Sequence, residues 1–210
     1  MHFLITAGPT REPIDPVRYL SNRSSGKMGY ALAEAALEAG HEVTLISGPV
    51  SLTAPEKAIV QSVETAQEMF EAVEAQIAKA DVAIFCAAVA DYRVAEQAGE
   101  KIKKSADTLT LELVKNPDIL GSARSRFGFE GFLVGFAAET TDVEKHAIGK
   151  LEKKGCDLLV ANDVSRSDIG FDHQENEVIA FHRNGEKTPL PRALKSEIAR
   201  ELIQIIENSI

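Results

Sequence analysis

The sequence predicts an α/β fold: a Rossmann-like, doubly wound and mostly parallel sheet with an appended β-hairpin or edge region and a flap. Short apolar runs, typical of strands buried on both faces, alternate along the chain with segments of helical periodicity. Such alternation is typical of parallel sheets that are covered by helices. At 210 residues, 44% of them hydrophobic, the chain suits one such unit, and we expect a single domain over residues 1–210.

Apolar periodicity and helix-start signals predict the core elements in order. The predicted strands are 2–7, 42–47, 82–88, 132–137 and 157–161. The predicted helices are 30–39, 65–79, 117–127, 142–154 and 192–208. Two Thr-x-x-Glu sequences, at 65–68 and 141–144, have the spacing of a capping box. Asn116 followed by Pro117 predicts the N-cap and first position of the third helix.

Two regions interrupt this alternation. Residues 93–108 are polar and are followed by Leu109, Leu111 and Leu113 in strict alternation. We expect a flap at about 93–108. Residues 176–190 read as a hairpin with a turn at Asn184-Gly185, which we expect to form an edge ribbon or a partner surface.

Charge and cysteine content narrow the class of protein. A formal net charge of −9 argues against a general nucleic-acid partner, which needs a basic surface. Cys86 and Cys156 lie in apolar runs and are expected to be buried free thiols, in keeping with a reducing cytoplasm. No apolar run approaches the roughly 20 residues that span a bilayer, and no signal-peptide pattern precedes the first strand. The scattered histidines argue against a structural zinc.

Residues 19–29 are the most informative stretch. They lie between the first predicted strand and the first predicted helix, where open α/β sheets bind ligands. N–H groups at a helix start attract anions, and glycine lets a phosphate approach closely. A capped helix start would explain one serine and one glycine, but not the amide and cations as well. We therefore expect a site for a phosphorylated small molecule, with these candidates: Arg18, Asn22, Arg23, Ser24, Ser25, Gly26 and Lys27.

Further candidates follow the later predicted strands. Asp91 is expected at the same sheet edge, facing a metal ion or nucleotide hydroxyls, or else capping a turn. The basic run 101–104 suits a flap that closes on a triphosphate, or a solvated surface. Phe136 ends a predicted strand and could pack in the core or on a base. Lys150 and Lys154 lie one helical turn apart and could face a phosphate tail or solvent.

Familiar cofactor and hydrolase motifs are absent. Residues 6–10 lack the G-x-G-x-x-G fingerprint, and the second strand ends in Ser47-Gly48-Pro49 without the acid that holds a ribose. Gly26-Lys27 is followed by Met28, so the P-loop pattern fails, and no G-x-S-x-G elbow occurs. These absences count against an NAD(P)-dependent Rossmann reductase, which remains the alternative enzyme. A non-catalytic nucleotide-binding module is a third hypothesis.

Taken together, several segments resemble the phosphopantothenoylcysteine synthetases, in particular the bacterial CTP-dependent type. The segments that carry the resemblance are 6–29, 87–92, 101–104, 114–119, 135–140 and 161–163. The resemblance implies a ligase of coenzyme A biosynthesis. In its reaction 4′-phosphopantothenate and CTP give an acyl-cytidylate and pyrophosphate, and cysteine then gives 4′-phosphopantothenoylcysteine and CMP. Magnesium or manganese assists, with unknown ligands.

The resemblance also implies residue roles. Asn22 would act on the acyl-nucleotide and its conversion by cysteine, and Lys101 would contact the cytosine. Members of this type work as homodimers in which each subunit contributes to the other's site. They are commonly fused behind a flavin-dependent decarboxylase, so the sequence is expected to be a free-standing synthetase or an excised domain. The expected nucleotide-site residues are Phe85, Ala87, Ala88, Asp91, Lys101, Asn116, Pro117, Asp118, Ile119, Phe136, Lys150 and Lys154.

Overall fold

Within the described residues, an eight-stranded sheet forms the centre of the fold. The computed structural model describes residues 1–104, 107–139, 141–163 and 173–210, with only the backbone of Asp163. The first six strands below are parallel, and the last two are antiparallel additions at one edge. The predicted fold class is therefore confirmed. The spatial order is β5 (Ile59–Ser62), β4 (Glu42–Ser47), β1 (His2–Ala7), β6 (Val82–Phe85), β9 (Phe132–Glu139), β10 (Leu158–Asp163), β11 (Glu175–His182) and β12 (Lys187–Leu194).

Helices cover both faces of the sheet. Side chains alternate along each strand, so Phe3 packs in the apolar layer that also holds Leu32 and Ile198, whereas Leu4 packs in the opposite layer with Met69. All five are buried. The first layer contains α1 (Lys27–Glu38) and α5 (Lys195–Glu207), and the second contains α2 (Ala66–Gln76), α3 (Ile119–Ser125) and α4 (Val143–Lys154).

The strand order reverses between β1 and β6. From β1 the chain continues to β4 and β5 on one side, and it later returns to fill the other side with β6, β9 and β10. At such a reversal the connections leave the sheet in opposite directions, which opens a crevice at the carboxyl ends of the strands. This crevice is the location that the topology provides for a ligand.

The strand predictions hold in the buried centre and fail at exposed places. β6 ends at Phe85 rather than at residue 88, and Ala88 makes only an isolated bridge to Pro9. β5 was not predicted, because Ile59 and its neighbours lie at the sheet edge and form no continuous buried run. The hairpin of β2 (Arg11–Asp15) and β3 (Arg18–Ser21) was also missed, since its polar sequence reads as loop.

The helix starts differ from expectation in four places, one of which is α5: it begins at Lys195 rather than at residue 192, because residues 192–194 belong to β12. The Thr65 capping box is confirmed, since its hydroxyl accepts a hydrogen bond from the Glu68 N–H at 3.1 Å. The box at 141–144 is wrong, because α4 begins after Asp142, which has a left-handed backbone and no capping bond. The Asn116 N-cap is wrong too, because that amide bonds to the Ala90 carbonyl and Asp118 caps α3 instead. α1 begins at Lys27 rather than at residue 30.

The two regions outside the alternating pattern become short antiparallel ribbons. The predicted hairpin at 176–190 is confirmed as an edge region, formed by β11 and β12 with Gly185 in the turn at a φ of 90°. β7 (Tyr92–Val94) pairs with β8 (Leu113–Lys115) at the two ends of the expected flap. Residues 105–106 of that flap lie outside the described part.

Both cysteines are free thiols, as expected. Cys156 is fully buried, whereas Cys86 is only partly covered. Burial raises the pKa of the Cys86 thiol to about 12 and that of Cys156 to about 11. None of the helices in the described part has the length and apolar character that crossing a bilayer requires.

A substitution at Gly29 tests how closely α1 packs on β1. A Cβ built there would lie 2.6 Å from the Ala7 Cβ and 3.1 Å from the Ala7 Cα, so the helix must move. We expect Gly29→Ala to lower the free energy of unfolding by about 1–3 kcal/mol, measured by urea denaturation. At Gly149 of α4 a Cβ would have no atom within 4 Å. We therefore expect Gly149→Ala to raise the free energy of unfolding by about 0.5–1 kcal/mol. Equal effects of the two substitutions would contradict this packing.

Candidate functional site

Two adjoining cavities occupy the crevice at the carboxyl ends of β1, β6 and β9. The first, of about 510 Å³, is bounded by the β8–α3 junction and by α4, and we call it the α3 cavity. The second, of about 640 Å³, is bounded by the start of α1, and we call it the α1 cavity. Both volumes are in the range of small-molecule sites. The residues that line both are Ala87, Val89, Asp91, Phe136 and Lys150.

The α3 cavity collects most of the residues expected at a nucleotide site. Ala88 lines only the α1 cavity, and Lys101 is not among the residues that line either cavity. Phe136, expected either in the core or on a base, is half-buried and faces both cavities. The expected residues found in the α3 cavity are Phe85, Ala87, Asp91, Asn116, Pro117, Asp118, Ile119, Phe136, Lys150 and Lys154.

The segment between β6 and β7 is fixed by three polar side chains. The Thr6 hydroxyl accepts a hydrogen bond from the Ala87 N–H at 3.3 Å. The buried Thr10 hydroxyl accepts one from the Ala90 N–H at 3.0 Å, and the Asn116 amide donates to the Ala90 carbonyl at 2.9 Å. The wall shared by the two cavities is therefore held by side chains from β1, from the residues that follow it, and from the β8–α3 junction.

Cations from α4 enter the α3 cavity. The Lys150 ammonium donates to the Phe136 carbonyl at 3.3 Å, and Lys154 forms an ion pair with Asp118. Burial acts to raise the pKa of Asp118, but hydrogen bonds from Lys154 and from the Gly121 N–H, with the nearby lysine charges, outweigh it and lower that pKa. The cavity therefore carries two ammonium groups, which attract anionic ligands.

The start of α1 provides the α1 cavity with N–H groups. Gly26 precedes the helix with a φ of 76°, and no side chain caps the first turn. The Ser24 hydroxyl accepts from the Gly26 N–H at 3.3 Å. No acidic residue lies in the first turn of the helix, so an anion meets no repulsion there. The expected phosphate-binding residues Ser24, Ser25, Gly26 and Lys27 all line this cavity, as does Arg23.

Asn22 lies between the start of α1 and the wall shared by the two cavities. Its amide nitrogen donates to the Val89 carbonyl at 2.9 Å and to the Ala88 carbonyl at 3.3 Å. Only the N–H₂ group can satisfy two carbonyl oxygens, which fixes the orientation of the amide. In this geometry its N–H groups are engaged by the protein, and the oxygen is the atom suited to accept a hydrogen bond from a ligand.

Polar residues that were not predicted form the floor of the α1 cavity. Asn162, Asn176 and Lys195 line it, and all three are buried. Asn162 stands near the carboxyl end of a parallel strand, a position that could have singled it out. Asn176 and Lys195 come from β11 and from the first position of α5, where the sequence carries no local signal of a site.

Arg18 and Lys101 lie together outside both cavities. The Asp15 carboxylate, whose side chain is fully covered, bonds to the Arg18 guanidinium at 2.5 Å and accepts from the Ile102 N–H at 3.1 Å. Arg18 also donates to the Ile102 carbonyl at 2.9 Å. The hydrogen bond from Arg18 holds the pKa of Asp15 well below its ordinary value. Burial acts to raise this pKa, whereas hydrogen bonds from backbone N–H groups lower it further. This cluster joins the β2–β3 turn to the 101–104 segment.

A preformed metal centre is not visible in the described part of the chain. No group of three or more His, Cys, Asp or Glu side chains there could hold an ion. Asp91 remains as a single exposed carboxylate on the shared wall. One carboxylate combined with substrate phosphates is a common way to hold magnesium.

Comparison with known proteins places the whole chain in one family. Residues 1–210 match the model described as DNA/pantothenate metabolism flavoprotein C-terminal domain. The coenzyme A biosynthesis bifunctional protein CoaBC of Vibrio vulnificus strain YJ016 is 52% identical over 206 residues, which cover 97% of this chain and 51% of that relative. The chain thus spans about half the length of the curated relatives that it matches.

Two solved structures illustrate the fold. A crystal structure of the C-terminal domain of CoaBC is 43% identical, with 99% of this chain and 94% of that chain covered and a TM-score of 0.83. A Cab2 mutant in complex with phosphopantothenate-cysteine is 18% identical, with 99% and 87% covered and a TM-score of 0.77, and shows the shared fold alone.

The Asp15 cluster predicts an acid-dependent contribution to stability. A carboxyl whose folded pKa is lowered stabilises the fold fully above its unfolded pKa of about 3.9, and the contribution is lost as the pH falls towards the folded pKa. We expect Asp15→Asn to lower the free energy of unfolding most at pH 7. The difference in this free energy between the variant and the wild type, measured by urea titration, should become smaller below about pH 4. The control Glu38→Gln removes an exposed pair with Arg200 and should change stability little. A difference in the free energy of unfolding that does not depend on pH would contradict the lowered pKa of Asp15.

Proposed function

The chain belongs to the DNA/pantothenate metabolism flavoprotein C-terminal domain family, and we propose that residues 1–210 act as a phosphopantothenoylcysteine synthetase that uses CTP. The observation that carries the proposal is the pair of cavities with one shared wall. A nucleotide in the lysine-bearing α3 cavity and a second phosphorylated ligand in the α1 cavity would meet at Asp91 and Phe136. Joining a carboxylate to a nucleotide requires such side-by-side binding. The ligand of the Cab2 structure belongs to the same chemistry.

In the first step the carboxylate of 4′-phosphopantothenate attacks the α-phosphate of CTP, and pyrophosphate leaves. Lys150 and Lys154 would neutralise charge on the triphosphate, and Asn116 to Ile119 with Phe136 would surround the nucleoside. Asp91 is the carboxylate that would hold a phosphate-bound magnesium or manganese ion, which supplies further charge neutralisation when bound. The small residues Ala87 and Ala88 leave the backbone open to a flat ligand.

In the second step the amine of cysteine attacks the acyl-cytidylate, and CMP leaves. The Asn22 oxygen would accept a hydrogen bond from that amine and so direct it towards the acyl carbon. An amide that turned away from the Val89 carbonyl would instead donate a hydrogen bond to the developing oxyanion. The segment 93–108 would limit access of water to the anhydride.

Lys101 and Arg18 suggest that a second subunit completes the site. Neither is among the residues that line the two cavities. Arg18 and Asp15 bond to the backbone of Ile102, the residue that follows Lys101. Large apolar side chains are exposed on the same two ribbons, as expected of a contact surface. We therefore propose a homodimer in which Lys101 reaches the cytosine, and Arg18 the acyl ligand, of the neighbouring subunit. These exposed residues are Val17, Tyr19, Tyr92, Leu109 and Leu113.

The proposed setting is the reducing cytoplasm, because both cysteines are free thiols. The substrates are small molecules, and the net charge of −9 gives no support for a nucleic-acid partner. Nothing about the end of β4 favours the reductase hypothesis, since Gly48 lies against the Pro9 backbone where a ribose-binding acid would be needed.

Release of pyrophosphate tests the function and the base choice together. Each of the four nucleoside triphosphates is supplied with and without 4′-phosphopantothenate. We expect pyrophosphate only when CTP and phosphopantothenate are both present, followed by CMP and 4′-phosphopantothenoylcysteine when cysteine is added. Saturable CTP binding without pyrophosphate release would support a non-catalytic module and overturn the proposal.

Substitution of Asn22 tests the second step. In Asn22→Asp a carboxylate would face the Ala88 and Val89 carbonyl oxygens and repel both, so the side chain could no longer direct the amine. We expect the acyl-cytidylate to form and its capture by cysteine to slow by about 10²–10³-fold. Mass spectrometry of quenched reactions should then show accumulated intermediate. Asn208→Asp, at the exposed end of α5, is the control, and an unchanged rate in Asn22→Asp would remove Asn22 from the mechanism.

A further inference from the structure

Arg93, in the middle of β7, binds the β8–α3 junction through its guanidinium. Its Nη1 atom donates to the Lys115 carbonyl at 2.7 Å and to the Asn116 Oδ1 atom at 3.2 Å. Within the described residues no carboxylate pairs with Arg93. Hydrogen bonds from a charged donor are stronger than those between neutral groups, so Arg93 holds these two oxygens firmly.

The orientation of the Asn116 amide depends on this donor. Its N–H₂ group donates to the Ala90 carbonyl at 2.9 Å, while its oxygen accepts from Arg93. If the amide turned over, its oxygen would meet the Ala90 carbonyl oxygen, and neither of these atoms can donate a hydrogen bond. Arg93 therefore favours the one orientation of the amide that holds Ala90.

Asn116 in turn holds the wall of the α3 cavity at two consecutive carbonyl groups. Besides the side-chain bond to Ala90, its backbone N–H donates to the Asp91 carbonyl at 2.9 Å. The Thr10 hydroxyl fixes the same segment by accepting from the Ala90 N–H at 3.0 Å. Ala90 and Asp91 line the α3 cavity, whereas Arg93 is not among the residues that line either cavity. The contacts of Arg93 therefore reach that cavity through Asn116.

We propose that Arg93 is a positioning residue for nucleotide binding: it fixes the Asn116 amide, and Asn116 fixes the wall of the α3 cavity at Ala90 and Asp91. The inference rests on the proposed function for the identity of the nucleotide, and it extends that function to a residue outside the cavity. Because the wall is held in place before the ligand arrives, binding loses less free energy to ordering of the protein.

Direct attraction between the Arg93 cation and the phosphates of the nucleotide is the other way in which this residue could strengthen binding. The two effects depend differently on the ligand. Direct attraction grows with the charge of the ligand, so its loss would weaken the binding of CTP much more than that of CMP. A displaced wall would weaken the binding of both nucleotides alike. The bonds of Arg93 to uncharged oxygens of the junction favour positioning.

The test measures binding of CTP and of CMP by calorimetric titration. Arg93→Met removes the donors, and Arg93→Lys keeps a single cationic donor. We expect Arg93→Met to weaken the binding of both nucleotides by about 10-fold, and Arg93→Lys to restore part of it. KM for CTP should rise with it, while kcat at saturating CTP stays within about 3-fold, as expected when only binding is lost. The matched control is Arg200→Met, which removes an exposed pair with Glu38.

Hydrogen exchange of the ligand-free protein, followed by NMR, tests the same contacts without any activity. In Arg93→Met we expect the Asn116 N–H and the Ala90 N–H to exchange about 10-fold faster than in the wild type, because their bonds to Asp91 and Thr10 open more often. The control variant should exchange as the wild type does.

Two outcomes would overturn the inference: exchange of these N–H groups at the wild-type rate in Arg93→Met, or weaker binding of CTP with unchanged binding of CMP. A wild type that binds neither nucleotide, together with faster exchange in Arg93→Met, would overturn the proposed function alone. If Arg93→Met fails to fold, Asn116→Asp is measured in its place. It keeps an oxygen for Arg93 but loses the donor to Ala90, so the same two outcomes decide.

Discussion

The contact between α1 and β1 at Gly29 is the constraint on which the site depends. Because residue 29 has no side chain, the first turn of the helix can lie directly on Ala7 at the carboxyl end of the strand. This places the N–H groups of α1 over the point where the strand order reverses. A second close approach, between Gly48 and the Pro9 backbone, holds the neighbouring strand end in place. The position of the α1 cavity follows from backbone packing before any polar group is considered.

The polar side chains of the site then divide into those that bond to the wall shared by the two cavities and those whose oxygens have no partner within the described part. Thr6, Thr10 and Asn116 use their hydrogen bonds on the backbone between β6 and β7. Their role is to hold that backbone still, and preorganisation of this kind limits the ordering that binding would otherwise require. Asn162 and Asn176 are the opposite case, since within the described part of the chain their buried oxygens have no hydrogen-bond partner.

Much of the fold could be predicted because its central strands are buried on both faces and read as apolar runs. The elements that escaped prediction are exposed: β5 carries an outward Ile59, and the β2–β3 hairpin is polar. The cap of α3 was misassigned because Asn116 is an equally good cap by residue type, and only the position of the Ala90 carbonyl decides its partner.

The same limit applies to the site. Residues 22–27 and the residues after β6 lie next to apolar strands, and local sequence was sufficient to single them out as candidates that line the cavities. Asn176 and Lys195 belong to the cavity only because β11 and α5 return to the same edge of the sheet. Lys101 shows the converse, since its basic run predicts an anion site, yet Lys101 is not among the residues that line either cavity.

The raised pKa of the partly covered Cys86 thiol has a consequence for the proposed chemistry of an activated acyl group. Cys86 lines the α1 cavity, and its pKa of about 12 leaves almost none of it as thiolate at neutral pH. A thiolate in that place would compete with the incoming amine and become acylated itself. If the proposed acyl-cytidylate forms, the raised pKa keeps this sulfur protonated and so protects the protein from acylation of Cys86.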